Sequence, residues 1–578
     1  MIRRIYRYMG KWKAYAWGAV ACVMAEAIFE LLVPMVMADM VDYGVANQDM
    51  PYILQKGAVM LVCALCALVL GVASSWFSAR AGQGLGAQLR EEQYRKLQAF
   101  SFSNIDRFRV PSLITRMTGD IANIQNTFSS GIRPGVRGPV MIVVATGVAF
   151  HINGKLAFVF FVALPILAVL LFSIITRVRP LYSKMQIAID TVNRVIRENL
   201  AAIRVVKAYV RGEYEQEKFE EGNQELLVRS EKAFRLSAMN MPALQLVMYA
   251  TILGILWFGG NLIQSGEMQI GELTSFLSYV LQILNSLMMI SSVFMLISRS
   301  VTSAVRVCEV LDEVPDIQDT KADSHVVTKG DVEFRDVWFK YESGAQEYVL
   351  KNISLHIQPG QTVGIIGQTG SSKSTLVQLI PRLYEATKGT VLVDGIPVQE
   401  YHQAHLRDAI GMVLQKNLLF TGTVRENLQW GNQNASDDEI LWACRVAGVD
   451  EFLNRLPKGL DTFLEQGGVN VSGGQKQRLC IARALLKRPK ILILDDSTSA
   501  VDTVTEAGIR QRMNQDLPDM TKIIIAQRVS SVQHADQIFV LSDGNLHACG
   551  THEQLLEECE VYREICESQK QGGIEGEK

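Results

Sequence analysis

Apolar segments long enough to cross a membrane dominate the first half of the chain. Six of them precede residue 300, with approximate bounds of 14–41, 53–79, 135–152, 156–175, 243–263 and 273–297. Most reach the length of about 20 residues that a helix needs to cross a hydrocarbon layer of about 30 Å. Because backbone polar groups find no water inside a bilayer, these segments must be helical. The sequence therefore predicts an all-α, six-helix transmembrane domain embedded in a lipid bilayer.

The distribution of basic residues orients these helices. The N-terminal sequence MIRRIYRYMGKWK is rich in Arg and Lys, whereas the loops after the first, third and fifth spans (DYGVANQDMP, HINGK and QSGEMQIGE) carry almost none. Lys and Arg collect in cytoplasmic loops. We therefore expect a multi-pass protein of the cell (plasma) membrane with both termini in the cytoplasm. The N-terminus lacks the small-residue cleavage site of a signal peptide.

Two of the cytoplasmic connections, 80–133 and 177–242, are long and charged. They are predicted to be helices that extend below the membrane, with tips near VPSLITRMTGD and KAYVRGEYEQEKF.

Composition excludes some other classes of protein. The net charge of −2 over 578 residues argues against nucleic acid as a partner. Cys63 and Cys66 form a C-x-x-C inside an apolar run with no second pair, so packing in a helix is favoured over zinc or redox chemistry.

A change of composition after Leu311 marks the end of the membrane domain. The polar stretch DEVPDIQDTKADSHVVTKG is typical of a linker. From Asp331 onward, short strands rich in Val, Ile and Leu alternate with helical patterns, as in α/β domains. The predicted organisation is a transmembrane domain at 1–311, a linker at 312–330, an α/β domain at 331–568 and a polar tail at 569–578.

A phosphate-binding loop follows one of these strands. The strand TVGIIG leads into GQTGSSKST, which nearly matches the P-loop pattern G-x-x-x-x-G-K-[ST]. Its residues are Gly367, Gln368, Thr369, Gly370, Ser371, Ser372, Lys373, Ser374 and Thr375. Backbone N–H groups face the phosphates, Lys373 reaches the β- and γ-phosphates, and the Ser374 hydroxyl binds Mg²⁺. ATP and Mg²⁺ are therefore the predicted cofactors. Ser372 departs from the pattern, which has Gly at its place because a side chain there crowds the phosphates or restricts the backbone.

Further motifs follow in order: Tyr341 in FKY, Gln415 in GMVLQKNLLF, NVSGGQKQRLCIARAL and ILILDDSTSAVD. Together with the six spans, they resemble the ATP-binding cassette (ABC) transporters, specifically the exporter group in which six spans are fused to one cassette. The resemblance covers nearly the whole chain. The family's signature motif is matched by Ser472, Gly473, Gly474 and Gln475, its Walker B strand by ILILDD and its D-loop by SAVD.

The resemblance implies a role for each motif. Tyr341 stacks on adenine, and Gln415 is the Q-loop glutamine that joins Ser374 and Asp495 at Mg²⁺. SLITRMTGDI and IRVVKAYVRGEYEQEKF resemble the loop regions that carry coupling helices. In the family, two cassettes dimerise head to tail, and each ATP lies between one chain's Walker motifs and the other chain's signature.

Two positions depart from the family pattern where the chemistry takes place. The residue after Asp495 is normally Glu, which polarises the attacking water, but here it is Asp496. Asp is one methylene shorter, and a misplacement of about 1 Å costs about 10²-fold in rate. The switch segment IIIAQRVSSV carries Gln527 where the family has His, and Gln cannot become a cation or exchange a proton. The chain's own pocket is therefore expected to bind ATP and to hydrolyse it slowly.

The signature, in contrast, is intact. This asymmetry resembles the degenerate-site subunit of heterodimeric bacterial multidrug ABC exporters. It implies a partner half-transporter with an intact Walker B Glu and switch His, and a pair that exports amphiphilic small molecules by alternating access. The alternatives are a homodimeric lipid or peptide exporter with slow ATPase activity, and a nucleotide-gated channel.

Charged residues inside the first span bear on the substrate. Glu26 and Glu30 are four residues apart and so lie on one helix face. Charges inside a span usually face a cavity or a partner. Two roles fit them: attraction of cationic amphiphiles, or a polar contact between helices. Pro34 removes a helix hydrogen bond nearby and opens space around Glu30 if it bends the span.

Overall fold

The computed structural model describes residues 2–319, 325–341, 344–497 and 501–575. It divides into two compact units. The first unit contains Met1–Gln98 and Pro111–Glu313, and the second contains Ala99–Val110 and Val314–Lys578. The short segment 99–110, which the sequence placed in the membrane domain, thus packs with the second unit.

Long helices form the first part of the chain. They are α1 (Ile2–Tyr8), α2 (Lys13–Asp39), α3 (Met50–Gln98), α4 (Phe102–Phe108), α5 (Val110–Thr115), α6 (Ile121–Ile152), α7 (Gly154–Ala201), α8 (Ile203–Ala208), α9 (Gly212–Ala238), α10 (Asn240–Gln264) and α11 (Ile270–Asp312). Among the described residues, six helical stretches are long and apolar enough to cross a membrane: Gly10–Val45, Met50–Gln98, Val110–Ile152, Gly154–Ala201, Gly212–Gln264 and Ile270–Ile290. The predicted all-α membrane fold is confirmed.

Small residues let these helices approach one another. On α3, Gly71, Ser74 and Ser78 are buried where α2 and α6 pack, while Leu65 and Val69 of the same helix are exposed. This is the pattern of a membrane bundle, in which close contacts use small side chains and the outer surface is apolar.

Hydroxyl groups of α11 bond to the backbone of α2 around Pro34. The Ser275 hydroxyl donates to the carbonyl of Pro34 at 2.7 Å, and the Tyr279 hydroxyl donates to the carbonyl of Leu31 at 2.9 Å. Pro34 lacks the N–H group that would donate to the carbonyl of Glu30, so the helix loses a backbone hydrogen bond at this turn. The two hydroxyl groups bond to other carbonyls near this turn and tie α11 to α2 there.

One sequence-based assignment differs from the structure. The third apolar segment, predicted from residue 135, and part of the helical connection predicted before it lie on one helix, α6, which contains both Arg133 and Arg137. The first cytoplasmic tip was predicted near 110–120, yet that stretch is already helical. The turn lies earlier, around the short helix α4. The Ser101 capping box begins α4, and Arg109, with φ 60°, ends the helix.

The strands of the second unit form a six-stranded sheet, a four-stranded sheet and a short pair. They are β1 (Val332–Phe339), β2 (Leu350–Ile357), β3 (Thr362–Gly367), β4 (Lys388–Val393), β5 (Ile396–Pro397), β6 (Ile410–Val413), β7 (Gly422–Thr423), β8 (Phe463–Leu464), β9 (Ile491–Asp495), β10 (Thr521–Ile525), β11 (Gln537–Ser542) and β12 (Asn545–Gly550). The large sheet has the order β12-β11-β3-β10-β9-β6 and is parallel except for β12. The β2-β1-β4-β5 sheet is antiparallel.

Helices pack around the large sheet. They are α12 (Lys373–Gln378), α13 (Gln403–Asp408), α14 (Val424–Gln429), α15 (Asp437–Val446), α16 (Asp450–Leu453), α17 (Gly473–Leu486), α18 (Thr503–Asp516), α19 (Val529–Val532), α20 (His552–Glu558) and α21 (Glu560–Glu575). The central strands β9 and β10 are buried along their whole length, as expected for parallel strands covered on both faces. The predicted α/β fold is confirmed, and the carboxyl ends of β3 and β9 bring the candidate site together.

Candidate functional site

The loop between β3 and α12 forms the predicted phosphate cradle. Gly367 ends β3 in a place where a Cβ atom would lie 2.2 Å from the carbonyl oxygen of Leu541, so only Gly fits there. Ser372 has φ 69° and ψ 25°, a left-handed conformation that Gly adopts without penalty. The departure noted in the sequence therefore places a side chain where the backbone disfavours one.

Lys373 folds back over this loop. Its Nζ donates to the carbonyls of Gly367 and Gln368 at 2.8 and 2.9 Å and lies 3.3 Å from the Ser371 hydroxyl. Burial lowers the pKa of Lys373, and the nearby carboxylates of Asp496 and Asp495 oppose that shift. The ammonium group is thus held at the centre of the loop whose N–H groups suit an anion.

Strand β9 delivers a carboxylate to the same place. The Ser374 hydroxyl, on the first turn of α12, donates to Oδ1 of Asp495 at 2.8 Å. Asp495 is almost fully buried, and burial raises its pKa, with the bond from Ser374 acting in the opposite direction. A hydroxyl and a carboxylate side by side are oxygen ligands that suit Mg²⁺.

The two residues that depart from the family pattern contact each other. Nε2 of Gln527 donates to Oδ2 of Asp496 at 2.8 Å. Burial raises the pKa of Asp496, and the side chains of Gln415 and Gln527 oppose this rise. Asp496 itself has φ 47°, in the left-handed region, so the chain turns sharply as it leaves β9.

The predicted adenine-stacking residue lies beside α12. Tyr341 is 44% exposed, and its hydroxyl lies 2.8 Å from that of Thr375. Its ring meets that of Tyr384 edge to face, with centroids 5.2 Å apart. An exposed aromatic face next to a phosphate loop suits a purine base.

The segment 99–110 reaches this aromatic pair within the second unit. The Tyr384 hydroxyl donates to Oδ2 of Asp106 at 2.6 Å, and the rings of Phe102 and Tyr384 are 6.0 Å apart. The Ser103 hydroxyl also donates to Asp316 at 2.5 Å. Tyr384 therefore contacts both Phe102 of this segment and Tyr341, the predicted adenine-stacking residue.

The signature residues form the start of helix α17. Ser472 and Gln475 make a reciprocal capping box, with Gln475 Oε1 accepting from the Ser472 backbone at 2.9 Å. Ser472 and Gly473 are exposed, so the helix N-terminus is open to an anion from outside the chain. Ser499 and Ala500 of the D-loop lie outside the described residues, whereas Asp502 caps α18.

The two glutamates of the first span are both ion-paired. Glu26, which is 2% exposed, lies 2.5 Å from Arg133, and Glu30 lies 2.7 Å from Arg137. Arg133 and Arg137 are four residues apart on α6, as the glutamates are on α2, and the matched spacing was the signal that sequence reasoning missed. A Cβ atom on Gly71 of α3 would contact the Glu26–Arg133 pair, so α3 packs directly against it.

These four charges line a cavity of about 810 Å³ within the first unit. The Glu30 and Arg137 side chains are 30% and 23% exposed, whereas that of Glu26 is 3% exposed. The other lining residues are Val33, Ala64, Ala67, Leu68, Gly71, Val72, Ser75 and Gln282. The cavity thus joins an apolar wall to the Glu30–Arg137 pair, in which both side chains are partly exposed. In the other pair Arg133 is 39% exposed and Glu26 is buried.

A six-helix membrane domain joined to a P-loop domain defines a membrane protein with its own nucleotide-binding unit. The profile of the ABC transporter transmembrane region matches residues 17–287, and that of the ABC transporter ATPase region matches residues 350–499. The chain belongs to the ABC transporter family, as a half-transporter with six membrane-spanning helices and one ATP-binding domain.

Known proteins resemble it over most of its length. The uncharacterized ABC transporter ATP-binding protein YfiB of Bacillus subtilis is 38% identical, over 95% of this chain and 96% of the relative. The ATP-dependent lipid A-core flippase of Syntrophus aciditrophicus is 31% identical, over 82% of this chain and 79% of the relative. A solved bacterial Atm1-family ABC exporter with ATP bound has a TM-score of 0.82 at 24% identity and covers 97% of this chain and 99% of that one. This last likeness establishes the exporter fold.

Proposed function

We propose that the chain is one half of a heterodimeric exporter in which its own Walker pocket retains ATP and its signature serves the partner's hydrolytic site. The observation that carries this is the Gln527–Asp496 hydrogen bond of 2.8 Å. Asp496 occupies the position expected to polarise water, and Gln527 occupies the position expected beside the third phosphate. The two side chains are hydrogen-bonded to each other. A capped, exposed signature helix is meanwhile preserved.

Nucleotide binding does not need either of these two residues. Tyr341 supplies stacking, Lys373 supplies positive charge, and Ser374 with Asp495 supplies oxygen ligands for Mg²⁺. General-base assistance is worth about 10² to 10⁴ in rate, so its loss slows turnover while leaving affinity largely intact. We propose cytoplasmic ATPase domains in a cell membrane protein, with one slow and one fast site per dimer.

The experiment is to tag this chain in its native host and to purify it with whatever half-transporter accompanies it. After incubation with Mg·ATP, the nucleotide in each pocket is identified by photocrosslinking to Tyr341 and to the partner's equivalent ring. We expect intact ATP at Tyr341 and ADP in the other pocket. Recovery of a homodimer that hydrolyses ATP at the rate of ordinary exporters would contradict the proposal and favour a homodimeric exporter. One relative is named as an ATP-dependent lipid A-core flippase, so lipids would then be the first substrates to test.

We further propose that the exported compounds are amphiphiles whose polar group lies at the Glu30–Arg137 pair. The cavity there combines apolar side chains with one accessible ion pair. Glu26 is instead a contact between helices, because it is buried against Arg133 beneath Gly71. Of the two predicted roles, Glu30 therefore takes the contact with amphiphiles and Glu26 takes the polar contact between helices.

A further inference from the structure

The last described helix of the chain continues its buried face with an exposed polar residue. Helix α21 buries Tyr562 and Cys566, four residues apart, against the core that contains Val529 and Val532 of α19. Gln569 follows three residues after Cys566 and so continues the same face. It is the point at which this face changes from apolar packing to hydrogen bonding.

Gln569 binds the backbone on both sides of Arg528. Its Nε2 donates to the carbonyl of Gln527 at 2.7 Å, and its Oε1 accepts from the N–H of Val529 at 2.9 Å. Arg528 is extended, with φ −96° and ψ 132°, so the flanking carbonyl and N–H point to the same side. A primary amide is the side chain that satisfies both at once. The Val529 N–H, at the first position of α19, has no partner within its own helix.

The same switch segment is held from a second helix. Arg510 of α18 donates to the carbonyl of Ser531 at 3.2 Å. Gln569 fixes the start of the segment and Arg510 fixes its end. The Gln527 side chain that leaves this fixed backbone is the one that donates to Asp496.

We propose that Gln569 is a positioning residue that clamps the switch segment and thereby controls how long the pocket keeps a nucleoside triphosphate. Asp496 directly follows Asp495, whose carboxylate accepts from Ser374, the neighbour of Lys373. A P-loop directs this lysine at the β- and γ-phosphates. The Gln527–Asp496 pair therefore faces the third phosphate rather than the base or the first phosphate. The clamp acts on ATP and not on ADP. This inference rests on the proposed nucleotide pocket and needs no assumption about the partner.

The test measures dissociation of fluorescent mant-ATP and mant-ADP, each with Mg²⁺, from the purified full-length chain in nanodiscs. Gln569→Ala and the isosteric Gln569→Glu, which keeps the acceptor but loses the donor, should release mant-ATP about fivefold faster, the scale of one net hydrogen bond. Release of mant-ADP should be unchanged. Ser568→Ala, at the exposed neighbouring position of α21, is the matched control and should behave as wild type.

A double-mutant cycle separates positioning from general loosening of the domain. In a Gln527→Ala background, Gln569→Ala should no longer change the ratio of the mant-ATP and mant-ADP release rates, because the side chain that it positions is gone. Equal acceleration of both nucleotides, or no acceleration of mant-ATP, would overturn the clamp. Failure of wild type to bind either nucleotide would overturn the pocket and the clamp with it. Nucleotide binding by wild type, together with unchanged mant-ATP release from the Gln569 variants, would overturn the clamp alone.

Discussion

The side-chain amide of Gln527 donates a hydrogen bond of 2.8 Å to Oδ2 of Asp496. Each of these residues departs from its family pattern, and the structure makes them partners. A carboxylate that accepts from the amide of Gln527 has fewer lone pairs left for a water molecule. Because the two side chains contact each other, the two departures belong to one pocket. The first two predictions rest on this contact.

The signature of this chain should matter more to ATP turnover than its Walker carboxylate. In the co-purified pair, Ser472→Ala should remove most hydrolysis, whereas Asp496→Asn, which still accepts from Gln527, should change it less than about twofold. Ser436→Ala is the matched control. Ser436 caps α15 with the same type of capping box, so its replacement costs a similar free energy of helix capping, about 1 kcal/mol. Steady-state phosphate release is the measurement. Comparable losses for Ser472→Ala and Asp496→Asn would contradict the assignment.

Replacing both departing residues with the family's residues should create a hydrolytic site in this chain's pocket. With the partner's Walker B Glu replaced by Gln, remaining hydrolysis reports this chain's pocket. Asp496→Glu alone should raise it modestly, because Gln527 still occupies the lengthened carboxylate. Asp496→Glu with Gln527→His should raise it by about 10² or more, the usual range for a restored general base. Identical rates for the single and double variants would show that Gln527 plays no part in the slow turnover.

The P-loop backbone at Ser372 predicts an effect on stability. A non-glycine residue in the left-handed region costs about 1–2 kcal/mol, while Gly adds about 0.4–1 kcal/mol of entropy to the unfolded chain. Ser372→Gly should therefore stabilise the domain by about 0.5 kcal/mol and leave nucleotide affinity equal or slightly higher. Thermal unfolding and nucleotide titration of the full chain test both parts. A sharp loss of affinity would mean that the Ser372 side chain itself binds the nucleotide.

The fold and the site could be predicted from the sequence where they depend on residues close together in the chain, and not where they depend on residues far apart. Hydropathy identified the six spans, and local motifs identified Lys373, Ser374, Asp495 and the two departures. The Glu30–Arg137 pair joins residues 107 positions apart. A span boundary drawn at residue 135 left Arg133 outside the third span, because an unpaired charge disfavours a membrane helix and its partner was not visible.

The same limit applies to the second unit. Gln569 was counted as part of a polar tail, since nothing local shows that its amide meets the backbone of residues 527 and 529. The packing of 99–110 with the second unit likewise depends on Tyr384, far along the chain. Sequence pattern predicts elements and motifs, and long-range hydrogen bonds decide which residues support them.

Acid should weaken one junction of the ATP-binding domain. The Asp394 carboxylate accepts from four consecutive backbone N–H groups, those of residues 328–331, at 2.6–2.9 Å. Burial alone would raise the pKa of Asp394, but these N–H groups lower it below the ordinary value. A lowered pKa means that its stabilisation is complete above the pKa of an unfolded Asp, about 3.9, and is lost as pH falls through the lower folded value.

Asp394→Asn should consequently reduce the free energy of unfolding by about 2 kcal/mol at neutral pH. The difference in Tm between wild type and variant should stay constant from about pH 5 to 8 and shrink below about pH 4. Thermal unfolding at a series of pH values is the measurement. A difference that is independent of pH down to about pH 3 would show that the charge of Asp394 contributes nothing.

The accessible ion pair of the membrane cavity predicts how substrate charge is read. Glu30→Gln leaves Arg137 uncompensated and adds a positive charge beside the substrate, so efflux of a cationic dye should fall relative to a neutral dye of similar size. Arg137→Gln leaves Glu30 uncompensated and should shift that ratio the other way. Each shift should be about tenfold, or about 1.4 kcal/mol, the scale of one unit charge about 12 Å away in an effective dielectric of about 20. The double variant Glu30→Gln with Arg137→Gln is neutral like wild type, and its cation-to-neutral ratio should match wild type. It also controls for folding, because removing one partner of a partly desolvated pair leaves the other charge uncompensated, whereas removing both leaves none. Efflux from proteoliposomes, normalised to folded protein, gives the four ratios. If both single variants lose the two dyes equally and the double variant recovers both, the pair only ties α2 to α6 and the substrate lies elsewhere.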